Sequence, residues 1–400
     1  MSNVLTNAVP LMAFRALEVL RQNSIMPKLV MNDSNMMGIG YGESITINDL
    51  DPLSTRPVTP GATFPTSGFN NLTSSAKTVT LNQWHEAAYP ITDKEIFDVQ
   101  SGIWPKALDA AVKALANKID TDIITAMYQG AYQTVGTAGT TPFQSSFQAA
   151  QQANRILSTA NAPKDDRYFV VDEFASSNII GLPEVVSAER FGSDQVAVDG
   201  TFDGVKRVGF MWNEDQNILT HTPGVQAGDT VAIDASGSVG GTTIIIDNGA
   251  GAAPTHLPVV GDKFTIAGST QQYTVLAVAA ATPTATEATL TIQPTLDQSI
   301  ADGDLVTFQT TAFVANLFFH RSSFGFASRP LADNGIRNAL AGAAGGQRGD
   351  TLAAQTLEDP VSGLVFRLEI ISLYKQVAVS VDALYGYELI RPALAGVCYG

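Results

Sequence analysis

Apolar and polar positions change rhythm several times along this 400-residue chain. In residues 8–23, Leu11, Phe14, Leu17 and Leu20 recur at helical spacing, with Arg15, Glu18 and Gln22 elsewhere. This predicts a short amphipathic helix, opened by Pro10 and stopped by Met26-Pro27. A lone helix of that length is marginal in water, so it must dock. In residues 42–91 the period drops to two: Ser44-Ile45-Thr46-Ile47 and Thr78-Val79-Thr80-Leu81 alternate as strands do. Between them stand Pro52, Pro57, Pro60, Pro65, Gly61 and Gly68, with little to build a core. The expectation is a long two-stranded arm with an irregular tip. Such a hairpin is marginal alone, so the arm is expected to lie on another copy of the chain.

The helical period then returns. Thr92-Asp93-Lys94-Glu95 reads as a capping box. Pro105 interrupts that helix and restarts a longer one to about Met127. Leu108, Val112, Leu115, Ile119, Ile123 and Met127 form one stripe. Lys106, Asp109, Lys113, Asp120 and Asp122 fall largely on other faces. This is a structural spine, about 35 Å long at 1.5 Å per residue.

Residues 145–224 read as mixed α/β: a helix over 147–160, a strand over 167–171 leading into Asp172 and a short helix, then strands over 205–210 and 218–220. Residues 225–310 break into six short β segments: 229–234, 242–247, 262–267, 272–279, 288–293 and 304–309. Gly-Asp opens three of them, and the spacing suggests a small sandwich or barrel. The alternating segments 364–370 and 376–382 are expected to pair antiparallel, after a Gly/Ala-rich, mobile loop at 341–349. The fold class is α+β.

Charge sharpens the picture. The net charge is −15, and charged residues are 15% of the chain, against roughly 25% in typical proteins. No Lys/Arg cluster exists to hold phosphates, so nucleic-acid binding is not expected. A surface poor in charge can be covered by neighbours, which suggests extensive assembly. The 225–310 segment carries one base, Lys263, against eight acids, a net −7. It reads as an inserted acidic β domain. No window nears the roughly 18 apolar residues of a membrane span. Met1-Ser2-Asn3-Val4-Leu5 has no basic or apolar leader region, so no secretory signal is expected. The one cysteine, Cys398, rules out an internal disulfide and reads as a small apolar residue near a strand end.

Candidate chemistry is thin. Trp84-His85-Glu86-Ala87-Ala88-Tyr89 begins like a zinc-protease helix, but Tyr89 stands where the second His must be. His85 reads instead as an arm residue contacting a neighbour. His221, His256 and His320 are scattered and read as structural. No G-x-S-x-G elbow appears. Gly38-Ile39-Gly40-Tyr41-Gly42 lacks the strand–turn–helix setting of a phosphate loop and reads as a hinge. Arg348-Gly349-Asp350 matches the cell-adhesion tripeptide, a pattern that arises easily by chance. No catalytic, cofactor-binding or metal-binding residue is assigned, and the chain is not expected to be an enzyme.

The order of features resembles the major coat protein family of tailed phages, with the Hong Kong 97-type fold. The segments that carry the likeness are Tyr89 to Glu95, Asn161 to Val171, Gly209-Phe210, Asn316 to Ala327 with Arg329-Pro330-Leu331, and Gly363 to Gly386. Within that family the chain looks like the short-tailed Salmonella phage coat subgroup, which carries an inserted β-barrel. The resemblance implies an N-terminal arm at 1–37 and an extended loop at 38–91. A peripheral domain with the spine helix would occupy 92–130 and 350–382. An axial domain would occupy 131–224, 311–349 and 383–400, and the inserted domain 225–310.

The resemblance further implies pentamers and hexamers that form an icosahedral shell around phage double-stranded DNA. Assembly would run through a scaffolded procapsid that expands on packaging. Partners would be copies of the chain, a scaffolding protein, a portal protein and, in some systems, a decoration protein. The location would be the virion capsid, built in the host bacterial cytoplasm. Two alternatives stay open: a cellular nanocompartment shell of the encapsulin type, and a secreted β-rich surface or adhesin protein.

Overall fold

The computed structural model describes residues 12, 15–20, 24–32, 44–50, 55, 74–92, 103–187, 196, 200–249, 254–279, 287–331, 351–359 and 362–400. The early elements are helical residues 15–20, α1 (Met26–Leu29), β1 (Met31–Asn32), β2 (Ser44–Leu50), β3 (Ser74–Thr80), β4 (Gln83–Thr92) and α2 (Ile103–Gly130). Next come β5 (Gln133–Val135), α3 (Gln148–Thr159), β6 (Arg167–Val171), α4 (Glu173–Gly181), α5 (Pro183–Val186), β7 (Lys206–Arg207), β8 (Phe210–Glu214) and β9 (Thr220–His221). Six short strands follow: β10 (Ala232–Ile233), β11 (Thr243–Asp247), β12 (Lys263–Ile266), β13 (Tyr273–Ala279), β14 (Ala288–Gln293) and β15 (Val306–Phe308). The last strands are β16 (Phe313–His320), β17 (Phe324–Arg329), β18 (Thr351–Glu358), β19 (Val365–Leu373), β20 (Gln376–Leu389) and β21 (Ala395–Tyr399).

The long helix α2 is the organiser. All six stripe residues, Leu108 to Met127, are buried. They share one core with Val379, Val381 and Ala383 of β20 and with Leu317 and Phe319 of β16. One apolar stripe thus binds two sheets. Ala16, Val19 and Leu20 join the same core, so the early helix docks as its spacing requires.

The first sheet runs β1-β17-β20-β19-β18, with β4 on the other edge of β20. The expected pairing of the last alternating segments is present as β19 against β20, from Arg367↔Asp382 to Leu373↔Gln376. The second sheet runs β5-β21-β16-β6-β8-β7. One face meets α2. The other covers a separate aromatic core of Phe143, Phe147, Phe169, Phe210 and Trp212, where Phe169 and Trp212, register partners on β6 and β8, stack at 4.5 Å. Burial on both faces explains why β16 is apolar on both sides apart from Asn316 and the terminal His320.

The six short segments of 225–310 form strands where expected. Their order is β10-β11-β14-β13-β12-β15, every pair antiparallel. The two ends meet: Val306 N donates to Val231 O and Ile233 N to Asp304 O, both at 2.9 Å. Of the two architectures expected, the barrel is formed. Its interior holds Ile233, Ile246, Phe264, Tyr273, Leu290 and Phe308, among others.

Three features go beyond the sequence expectation. Thr92 ends β4 and pairs with Gln376; the residues it is expected to cap lie outside those described. Among the described residues the arm hairpin consists of β2 and β3, Ser44↔Thr80 through Leu50↔Ser74, whereas β4 pairs with β20 from Gln83 to Thr92. Alternate β4 positions, from His85 to Ile91, face inward, so this strand has a core of its own to join. Third, Asp120 and Asp122 are buried despite their charge. The arm's base also packs on its own chain, with Ile45, Ile47, Val79 and Leu81 against Ala327 and Leu384. The arm tip at 51–73 (Thr55 apart), the capping-box residues 93–95, the glycines 38–42, the loop 341–349 and the Arg348-Gly349-Asp350 tripeptide lie outside the described residues.

Candidate assembly site

An α-helix leaves its last carbonyls without internal donors. In α2, Met127 O still receives Ala131 N at 2.9 Å. The next four carbonyls all receive side chains from the barrel. Lys263 Nζ donates to Tyr128 O at 2.7 Å and to Ala131 O. Thr274 Oγ1 donates to Gln129 O at 2.8 Å, and Gln293 Nε2 to Gly130 O at 3.0 Å. Lys263 Nζ places its third proton on Thr274 Oγ1 at 2.8 Å. Just beyond, Thr134 N donates to Gln272 Oε1 at 2.7 Å.

Lys263 is only 3% exposed. Burial pulls its ammonium down to about 7, opposed by the neighbouring Asp262 charge. Asp262 is itself buried: His221 Nε2 lies 2.7 Å from its Oδ1, and Gly224 N and Val259 N donate to its Oδ2. The seat is therefore polar but fully hydrogen-bonded at each of these groups, as buried polar groups must be.

A second buried ionic group lies on the face of the first sheet turned away from α2. Arg367 Nε and Nη2 contact Asp382 at 3.1 and 2.7 Å, and Nη2 is 3.3 Å from Glu369 Oε2. Trp84 Nε1 donates to Asp382 Oδ2 at 3.0 Å. The indole is otherwise 62% exposed, a large apolar surface fixed in place by its one polar atom.

The buried spine acids have partners too. Asp122 accepts from Lys118 Nζ at 2.5 Å and from the Tyr385 hydroxyl at 2.6 Å. Burial and the carboxylate of Asp122 push the Tyr385 phenol up. Asp120 accepts from Ile25 N at 3.1 Å and Met26 N at 3.2 Å, tying α1 to the spine. Burial, reinforced by the Asp215 charge, holds its carboxyl well above the usual range.

The singled-out residues scatter. His85 contacts its own chain: Nε2 is 3.9 Å from Asp122 Oδ2, and its ring is 5.9 Å from that of Tyr385. His256 pairs with Asp229 at 3.0 Å, and His320 Nδ1 with Ser322 Oγ at 2.8 Å. Cys398 is buried in β21, its thiol pushed up to about 12 by burial. A polar crevice of about 390 Å³ lies between Asn117, Asp203, Glu214 and Asp215. Its acids are engaged locally: Asp203 Oδ1 accepts Glu214 N, and Asp215 Oδ1 accepts Asn217 N. Among the described residues, no three His, Cys, Asp or Glu could together hold a metal ion.

No protein-family model and no curated protein matches the chain. Solved structures do. The chain is similar to one in the capsid structure of cyanophage P-SCSP1u, with a TM-score of 0.51 and 13% identity over 94% of this chain and 88% of that one. It is also similar to a chain of Mycobacterium phage Che8 (TM-score 0.47, 14% identity, 94% and 90% covered). A third likeness is to the virus-like particle of Pyrococcus furiosus (TM-score 0.40, 9% identity, 96% of each chain covered). The first of these shows the fold: a mixed helix-and-sheet architecture that resembles a phage capsid protein's. At TM-scores below 0.5 the other two add nothing to that assignment.

Proposed function

We propose that this chain is the major capsid protein of a tailed phage. Copies associate as pentamers and hexamers into the icosahedral shell that encloses double-stranded DNA, through a scaffolded procapsid that expands on packaging. The supporting observation is the fold likeness to the P-SCSP1u capsid chain across 94% of this chain. In this reading 92–130 and 350–382, which hold α2, β18 and β19, form the peripheral domain, 131–224, 311–349 and 383–400 the axial domain, and 225–310 an inserted domain. The barrel's own apolar core supports that last division.

The physical chemistry is compatible. A shell that corrects its errors needs weak individual contacts; a millimolar contact is worth about −4 kcal/mol. Many such contacts per subunit give a stable whole through multivalency. A chain of net charge −15 does not adhere to packaged nucleic acid.

Electron microscopy of the purified chain, alone and with the product of a neighbouring gene as candidate scaffold, tests the reading. Closed shells or polyheads are expected. Monomers or small oligomers under all conditions would overturn it. Enzyme cargo inside the shells, with no DNA-packaging genes nearby, would instead select the nanocompartment alternative.

A further inference from the structure

We infer that the barrel is the C-terminal cap of the spine helix, with Lys263 as its closing group, so that seating the barrel and completing the helix are one equilibrium. Four consecutive carbonyls, Tyr128 to Ala131, are satisfied by side chains on three barrel strands: Lys263 on β12, Thr274 on β13 and Gln293 on β14. Helices ordinarily end on a local glycine motif or in water. Here the terminating donors come from residues more than 130 positions away, and they come as a set.

The chemistry of the closing group is specific. The C-terminal end of a helix carries partial negative charge, which a cation complements. An ammonium offers three protons and no acceptor, and all three of these protons have an oxygen at Tyr128, Ala131 or Thr274. The rest of the 225–310 segment holds no other Lys or Arg, so the one lysine of an acidic module sits where the module meets the helix end. If the barrel lifts away, four buried carbonyls lose their donors together; if the last turn of α2 unwinds, the barrel loses its seat.

The test is hydrogen exchange on the full chain, read as protection factors. Lys263→Met keeps the length of the stem and removes the donors. The expected result is a tenfold or greater loss of protection at amides 127–131 of the last turn. Amides 108–120 of the same helix and the β13–β14 ladder should stay within twofold of wild type. Thr274→Val and Gln293→Leu should each loosen the same last turn by at least threefold. They carry the test if Lys263→Met does not yield folded protein. Unchanged protection at 127–131, or a uniform loss over the whole chain, would overturn the inference: the former would mean that the cap adds nothing, the latter that Lys263 is only a general stabiliser.

Discussion

Arg367 and Asp382 face each other in register on β19 and β20, the guanidinium gripping the carboxylate through Nε at 3.1 Å and Nη2 at 2.7 Å. Glu369 is 3.3 Å from the same nitrogen, and the Trp84 indole donates to the same carboxylate. One cation therefore holds two buried acids and indirectly positions an exposed indole.

Replacing Arg367 by Met removes the cation that both buried carboxylates share. Removing one partner of a buried pair costs about 3–5 kcal/mol, and that loss is expected in urea unfolding of the variant. A change below about 1 kcal/mol would mean that water reaches the group.

Gly386 sits where the arm crosses the first sheet. A side-chain carbon there would collide with the carbonyl of Thr80 and the backbone of Leu81, neither of which can rotate aside. Gly386→Ala is expected to lift the base of the arm, at a cost of about 1–3 kcal/mol. Faster proteolytic cutting between 44 and 80, with α2 still protected, is the sign to look for. Unaltered cutting would show that the crossing is loose.

Asp120 sets a pH dependence. Its carboxyl is held well above its ordinary 3.8 by burial, so the folded chain binds this proton more tightly than the unfolded one. The contribution is complete below the ordinary value and is lost as pH rises through the folded one. Stability is expected to fall from acid towards neutral pH, in the same direction as the raised carboxyls of Asp172, Asp215 and Glu388. Asp120→Asn should flatten that slope in urea midpoints taken from pH 4.5 to 8. A variant as steep as wild type would assign the dependence to the other acids.

The 225–310 fragment should fold alone. Its strands close on themselves and its core is internal. A single cooperative thermal transition is expected from the purified fragment. A broad, non-cooperative melt would make the barrel dependent on its seat.

The arm should matter for association and little for folding. Replacing residues 52–72 by a short Gly/Ser linker retains β2 and β3 and their packing on Ala327 and Leu384. A folded monomer that no longer forms closed shells is expected under electron microscopy. Normal shells would remove the tip from the assembly.

The elements that were legible in the sequence are those driven by apolar repetition. The stripe Leu108–Met127 and the six strands of 225–310 follow from side-chain periods alone. What was not legible is polar and long-range. Asp120 and Asp122 read as surface residues because charge ordinarily means water. Their burial depends on donors supplied by Ile25, Met26 and Tyr385. Residues 83–91 read as part of a free-standing arm, yet β20 pairs with them along their whole length. Lys263 was visible as the lone base of its segment, but the helix end it serves lies 132 to 135 residues earlier. No window-based pattern joins those positions.

The barrel's closure has a colloidal consequence. A sheet without edges offers no unpaired backbone to recruit a strand from another molecule. Contacts between barrels on different copies must then be made by side chains alone, and the segment carries a net −7. Like-charged modules hold each other off until counterions intervene, over a range of about 10 Å at 0.1 M salt. In a crowded solution these barrels would behave as mutually repelling spacers, leaving the less charged remainder of the chain to approach first.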